Sequence, residues 1–169
     1  MDPVAHASVG LMVKCGAPGT SVWALLAATQ VPDLLSFGFM AVGMERGAET
    51  VLDFEHGLRY LSLPSIGWSH GLLMCVVWSL LVAAIAFVFC RDRRASALIG
   101  VMVLSHWALD TIVYPYMPLA FDGSPWIGLG LITSGTGLIA GILLEIVLIA
   151  GGLVAYLATR RRKPATPSA

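Results

Sequence analysis

Long apolar runs separated by short polar segments set the pattern of this chain. Four runs, about 20–44, 66–90, 95–117 and 134–159, supply the roughly 20 apolar residues that a helix needs to cross a hydrocarbon layer of ~30 Å. A fifth run, 3–15, is too short to span. It predicts a short helix or re-entrant segment, turned into the first span by Gly16-Ala17-Pro18-Gly19. Between the spans, 45–65 holds Glu45, Arg46, Glu49, Asp53, Glu55, His56 and Arg59, and 118–133 is rich in Gly and Pro; both read as loops. The expected fold is all-α: a polytopic transmembrane helical bundle of four spans with a short N-terminal helix or re-entrant segment. One domain covers 1–159, and 160–169 forms a basic, then polar, cytoplasmic tail that reads as disordered.

Composition agrees with lipid surroundings. Hydrophobic residues make up 57% of the chain, charged residues 12%, and the mean hydropathy is +0.83. Soluble domains carry about 25% charged residues, so a soluble enzyme with a greasy core is excluded. The formal net charge of zero gives no electrostatic reason to expect nucleic acid, and membrane lipids are the expected partners. Position matters more than sum: Arg91, Arg93 and Arg94 fill the link between spans two and three, and Arg160, Arg161, Arg162 and Lys163 follow span four. Basic loops stay cytoplasmic, which puts both termini and Lys14 inside and loops 45–65 and 118–133 outside. Asp2 and Pro3 stand where a signal peptide carries basic residues, so an uncleaved N-terminus is expected. Cys15, Cys75 and Cys90 form no C-x-x-C pair and read as small buried hydrophobes. Gly67-x-x-x-Gly71 and Gly137-x-x-x-Gly141 allow close approach, read as packing within one bundle ahead of a homodimer seam. Trp68 and Trp126 suit the membrane interface, whereas Trp107 lies mid-span and reads as packing or site lining.

Ionisable residues inside the spans carry the functional information. Asp33, His70, His106, Asp110 and Glu145 are there, and no Lys or Arg accompanies them. A charged carboxylate at the bilayer centre costs on the order of 2.5–3.5 kcal/mol and normally pairs or lines a wet cavity. These acids therefore need protons, histidines or a metal cation. Counting ~1.5 Å per helical residue from each span's cytoplasmic end places Asp33 roughly 18 Å deep, His106 and Asp110 about 17 and 23 Å, and Glu145 about 21 Å. His70 falls higher, roughly 30 Å above Cys90; His6 would join from below at ~14 Å if 3–15 folds back on span one. His106 and Asp110, at i and i+4, share a helix face and can offer an imidazole and a carboxylate to one cation. Pro32 predicts a kink beside Asp33, with a freed carbonyl lining a cavity. His56 belongs to a polar loop and reads as solvated.

His6, Pro32-Asp33, Ser69-His70 and Ser105-His106 through Asp110, in this order, resemble the bacterial membrane-bound metal-dependent hydrolases, an inner-membrane group that includes LexA-regulated members. The likeness covers about 6–158. It implies a metal site made by His6, Asp33, His70, His106 and Asp110. Two departures stand out: Leu35 replaces a frequent second acid, and a His-Arg stretch before Ser69 is missing, so one ligand is absent or comes from Glu145 or His56.

An enzyme is the first functional expectation. Imidazole and carboxylate ligands suit zinc above all, then manganese or iron, with Glu145 or Asp110 as general base and an ester or phosphoester of a lipid on the non-cytoplasmic side as substrate. A proton- or metal-linked carrier is the second, weakened by four spans and no inverted repeat. A scaffold glued by polar contacts is the third; such hydrogen bonds average only ~0.6 kcal/mol, little return for burying so many acids.

Overall fold

The computed structural model describes residues 1–161, so the tail expectation for 162–169 lies outside the described residues. Helix α1 (Pro3–Gly16) starts where Pro3 presets the helical φ and the Asp2 carboxylate accepts the Val4 amide at 2.7 Å. The first long apolar run forms two helices, α2 (Val22–Thr29) and α3 (Val31–Ala41), bent by 46° at Gln30. Pro32 accounts for the break, since it has no N–H to continue the helical ladder. Residues 66–90 are also interrupted: the single turn α4 (Gly67–His70) is separated from α5 (Leu72–Cys90) by an extended Gly71. Arg91, held at φ 53°, turns the chain sharply, and Asp92 caps α6 (Arg93–Val113) by accepting the Arg94 and Ala95 amides. The last long helix is α7 (Gly135–Arg161).

Helices α5, α6 and α7 are each long and apolar enough to cross a membrane, and the bent α2–α3 pair makes a fourth candidate if it is one broken span. Large apolar side chains such as Leu80, Phe89, Val147 and Val154 project outward from α5 and α7, as lipid-facing positions require. The all-α expectation is corrected in the loops. β1 (Thr50–Asp53) pairs antiparallel with β2 (Gly57–Tyr60), and β3 (Met117–Pro118) pairs with β4 (Trp126–Ile127). Backbone hydrogen bonding drives this: a loop folded over the bundle satisfies its amides by pairing them.

The apolar core, Leu25, Ala28, Ile99, Met102 and Val103, joins α2 to α6 and lies toward the Arg91–Arg94 end. Helix α1 packs against α2, α6 and α7. The two expected glycine pairs pack within the chain, but against loops. A Cβ at Gly67 would meet Phe121 Cα at 2.8 Å, and one at Gly141 would meet the Ile132 side chain at 3.2 Å. Close helix crossings instead use Gly152, which lies on Ser8 of α1, and Gly100, which lies on Ser79 of α5.

Candidate metal centre

Four elements deliver one cluster. Asp33 comes from the first turn of α3, His70 from the end of α4, His106 and Asp110 from one face of α6, and His6 from α1. His106 Nε2 lies 3.4 Å from Asp33 Oδ1 and 3.3 Å from Asp110 Oδ2, while His70 Nε2 lies 3.4 Å and 3.9 Å from the same two oxygens. Imidazole and carboxylate therefore alternate around a ring of four donors. Donors about 2.1 Å from a metal at tetrahedral angles stand about 3.4 Å apart, a spacing that three of the four ring edges match. His6 Nε2 reaches the other oxygen of Asp110, Oδ1, at 3.2 Å, where the Met1 amino nitrogen also lies, at 2.9 Å.

The surroundings orient these donors. Thr29 ends α2, so its carbonyl lacks an onward helical partner, and it accepts the His106 Nδ1–H at 2.7 Å. A carbonyl can only accept, so Nδ1 carries a proton, and in the neutral imidazole the Nε2 lone pair then faces the ring. His70 Nδ1 is 2.7 Å from Ser69 Oγ, and Ser69 is bonded to the buried carboxylate of Glu45. Among the described residues, both ring nitrogens of His6 and Nε2 of His106 are buried without a hydrogen bond of good geometry, although each Nε2 approaches a carboxylate. Protonating both rings is opposed, because the two imidazoles stack with centroids 3.8 Å apart, whereas a single proton on His106 is not. Two unit charges at ~4 Å repel by about 4 kcal/mol even at an effective dielectric constant of 20. A cation shared by neutral imidazoles and carboxylates avoids that repulsion. Two overlapping groups of the cluster, His6–His106–Asp110 and Asp33–His70–His106, each have donor atoms within 4.8 Å of one another and could hold a metal ion.

Comparison with protein-family models, curated proteins and solved structures finds no match for this chain. What the site can do follows from its chemistry alone.

Asp33, His70 and Asp110 line a cavity of about 510 Å3, within the usual ligand-pocket range. Its wall is largely apolar, with Phe37, Met40, Leu58, Ile66, Met117 and Ile132 on it, and the loops over 45–65 and 118–133 contribute to it. His70 meets the other ligands despite its calculated height. The straight-helix count fails because Gly71 breaks α4 from α5, so distance along the chain no longer measures depth.

Glu145, counted to the same depth, stands apart. Its Oε1 accepts the Asp2 amide at 3.0 Å and it lines a smaller cavity of about 280 Å3, so in this geometry it anchors the start of α1. Glu145→Gln is expected to retain metal, since a Gln oxygen accepts the same bond, and Glu145→Ala to cost about 1 kcal/mol of stability. Metal analysis and thermal melts of both variants check this; loss of metal in Glu145→Gln would return the residue to the ligand set. His56 lies on the β1–β2 hairpin, 2.6 Å from Asp53, and this contact holds the Asp53 carboxyl below its usual range. Sequence reasoning missed Glu45, Ser36 and Tyr60, which looked like ordinary polar positions.

Proposed function

We propose that the protein is an integral membrane metal-dependent hydrolase acting on an ester or phosphoester, of a lipid in the first instance, at the non-cytoplasmic face of a bacterial inner membrane. The observation that carries this reading is the ring of two imidazole nitrogens and two carboxylate oxygens at the wall of an apolar cavity. In this reading α2 and α3 form the fourth span, and the basic clusters keep both termini cytoplasmic. The chain is then a relative of the membrane-bound metal-dependent hydrolases.

Asp33, His70 and His106 would hold a divalent transition metal, zinc ahead of manganese or iron, with Asp110 beside them in a second triple formed with His6 and His106. Such a metal supplies Lewis acidity and an acidified water. The protein's own groups do the rest. Asp33, partly exposed, and Asp110 both line the cavity, so a carboxylate is at hand to take a proton. Tyr60 lines it too. Burial pushes its phenol up to about 12, so at neutral pH it keeps its proton and can donate to a substrate oxygen. The apolar wall suits a hydrocarbon chain. The hydrolase reading is preferred to a carrier because the core of Leu25, Ala28, Ile99, Met102 and Val103 fills the bundle on the far side of the cluster, where a through-path would need polar groups.

The test is metal analysis of the detergent-purified full chain, then hydrolysis of ester and phosphodiester probes of short and long chain length. About one transition metal per chain and metal-dependent turnover favouring long chains are expected. Metal-loaded protein inert toward both probe classes would end the hydrolase reading. Folded protein that neither carries nor takes up zinc, manganese or iron would shift it to a proton-linked carrier.

A further inference from the structure

Glu45 is the one buried acidic side chain that the proposed chemistry leaves unused among the described residues. It follows the first apolar run, in a segment rich in exposed charge, yet only 2% of it is exposed. Its carboxylate accepts three hydrogen bonds: the Ser69 amide at 2.7 Å on Oε1, and the hydroxyls of Ser36 at 3.0 Å and Ser69 at 2.7 Å on Oε2. Two of the three come from the residue beside a metal-ligand candidate. A serine hydroxyl has a single proton to donate. With that proton committed to Glu45, the oxygen of Ser69 can only accept from its other close neighbour, His70 Nδ1, at 2.7 Å.

We infer that Glu45 is a positioning residue that acts through Ser69 to keep the proton of His70 on Nδ1, leaving the Nε2 lone pair for the metal. The inference deepens the metal-centre reading and rests on it. The relay gives His70 what Thr29 gives His106, an acceptor that fixes the tautomer, supplied here by side chains 24 residues apart in sequence instead of by a main-chain carbonyl. Because the outer member is a carboxylate, its substitution by an isostere makes a sharp prediction. In Glu45→Gln the amide oxygen still accepts the Ser69 N–H, but the amide NH2 replaces Oε2 and donates to Ser69 Oγ. The Ser69 hydroxyl then turns toward His70 Nδ1, and the imidazole proton moves to Nε2, the nitrogen that faces Asp33 and Asp110.

Two readouts on the full chain in detergent micelles test this. The first is nitrogen-15 NMR of metal-free, histidine-labelled protein at about pH 9, above the ordinary imidazole range, with His70 assigned by its loss in His70→Gln. Wild type is expected to show His70 protonated on Nδ1, and Glu45→Gln on Nε2. The second is zinc affinity by competition with a chelator, expected to fall about 10–100-fold in Glu45→Gln. Ser36→Ala, which removes a bond to Glu45 but no link to His70, is expected to stay within a few-fold of wild type by the same reasoning. Wild-type His70 protonated on Nε2 overturns the inference, and needs no variant to fold. So does a Glu45→Gln protein whose His70 proton stays on Nδ1, whatever its zinc affinity, or one whose proton moves while zinc binding is unchanged. If wild type binds no zinc at all, the metal-centre reading fails, and the proton's position still decides the relay.

Discussion

Replacing His106 with alanine is expected to strip the protein of its metal. Its Nε2 stands 3.3–3.4 Å from carboxylate oxygens of both Asp33 and Asp110, and it belongs to both groups of side chains able to share an ion. No other histidine here has both positions. Loss of a partner one shell out already costs about 10–100-fold in affinity, and loss of this nitrogen should cost more. Asp110→Ala should behave alike, because it removes the oxygens facing His6, His70 and His106 together. His56→Ala, on the loop hairpin, should leave metal content unchanged. Histidine must be deprotonated to bind, so wild-type affinity should decline as pH falls. Inductively coupled plasma mass spectrometry of folded variants measures the outcome; a His106→Ala protein that keeps a full complement of metal would sink the proposed centre.

Gly152→Val should damage the same site from a distance. A Cβ at position 152 would lie 2.5 Å from Ser8 O and 2.8 Å from Ser8 Cβ, so α1 must move off α7. Overpacking of this kind costs about 1–3 kcal/mol. The strain reaches the cluster because α1 also carries His6, stacked on His106 and 3.2 Å from Asp110. Both thermal stability in detergent and zinc affinity should drop, although residue 152 touches no proposed ligand. Gly38→Ala is the comparison: a Cβ there meets nothing within 4 Å, and alanine favours an α3 helix by up to ~1 kcal/mol. Equal losses in the two variants, or unchanged zinc affinity in Gly152→Val, would show that α1 is not held to the site in this way.

The ligand candidates could be read from the chain because lipid makes ionisable residues conspicuous. Asp33, His70, His106 and Asp110 interrupt long apolar runs, and such interruptions are costly enough to require a reason. His6 was legible only through order and resemblance, since a histidine near a terminus carries no such signal. The heights were less legible. Straight-helix arithmetic assumes unbroken rods, whereas Gly71 and Gln30 mark breaks, and the calculation put Glu145 level with the cluster without showing that it faces the Asp2 amide. Glu45 was hidden by its neighbours: in a segment with Arg46, Glu49, Asp53 and Glu55, one buried acid looks like the exposed ones. The pairing of Thr50–Asp53 with Gly57–Tyr60 was missed for a related reason, because short strands over a bundle lack the alternation that marks a half-buried sheet.

The Thr29 carbonyl has a consequence for how this site tolerates change. Every amino acid supplies a main-chain oxygen, so a substitution at position 29 that fits the buried space keeps the acceptor for His106; the Thr29 side chain itself bonds Leu26 O and Gln30 Nε2 instead. The support is encoded elsewhere, at Pro32, which breaks the ladder at Ala28 and keeps α2 and α3 from joining, so that the Asp33 N–H does not take the Thr29 oxygen. A helix former at position 32 would let the ladder reclaim that oxygen. Position 29 is then limited by the buried space its side chain fills, while the hold on the imidazole is limited three positions downstream.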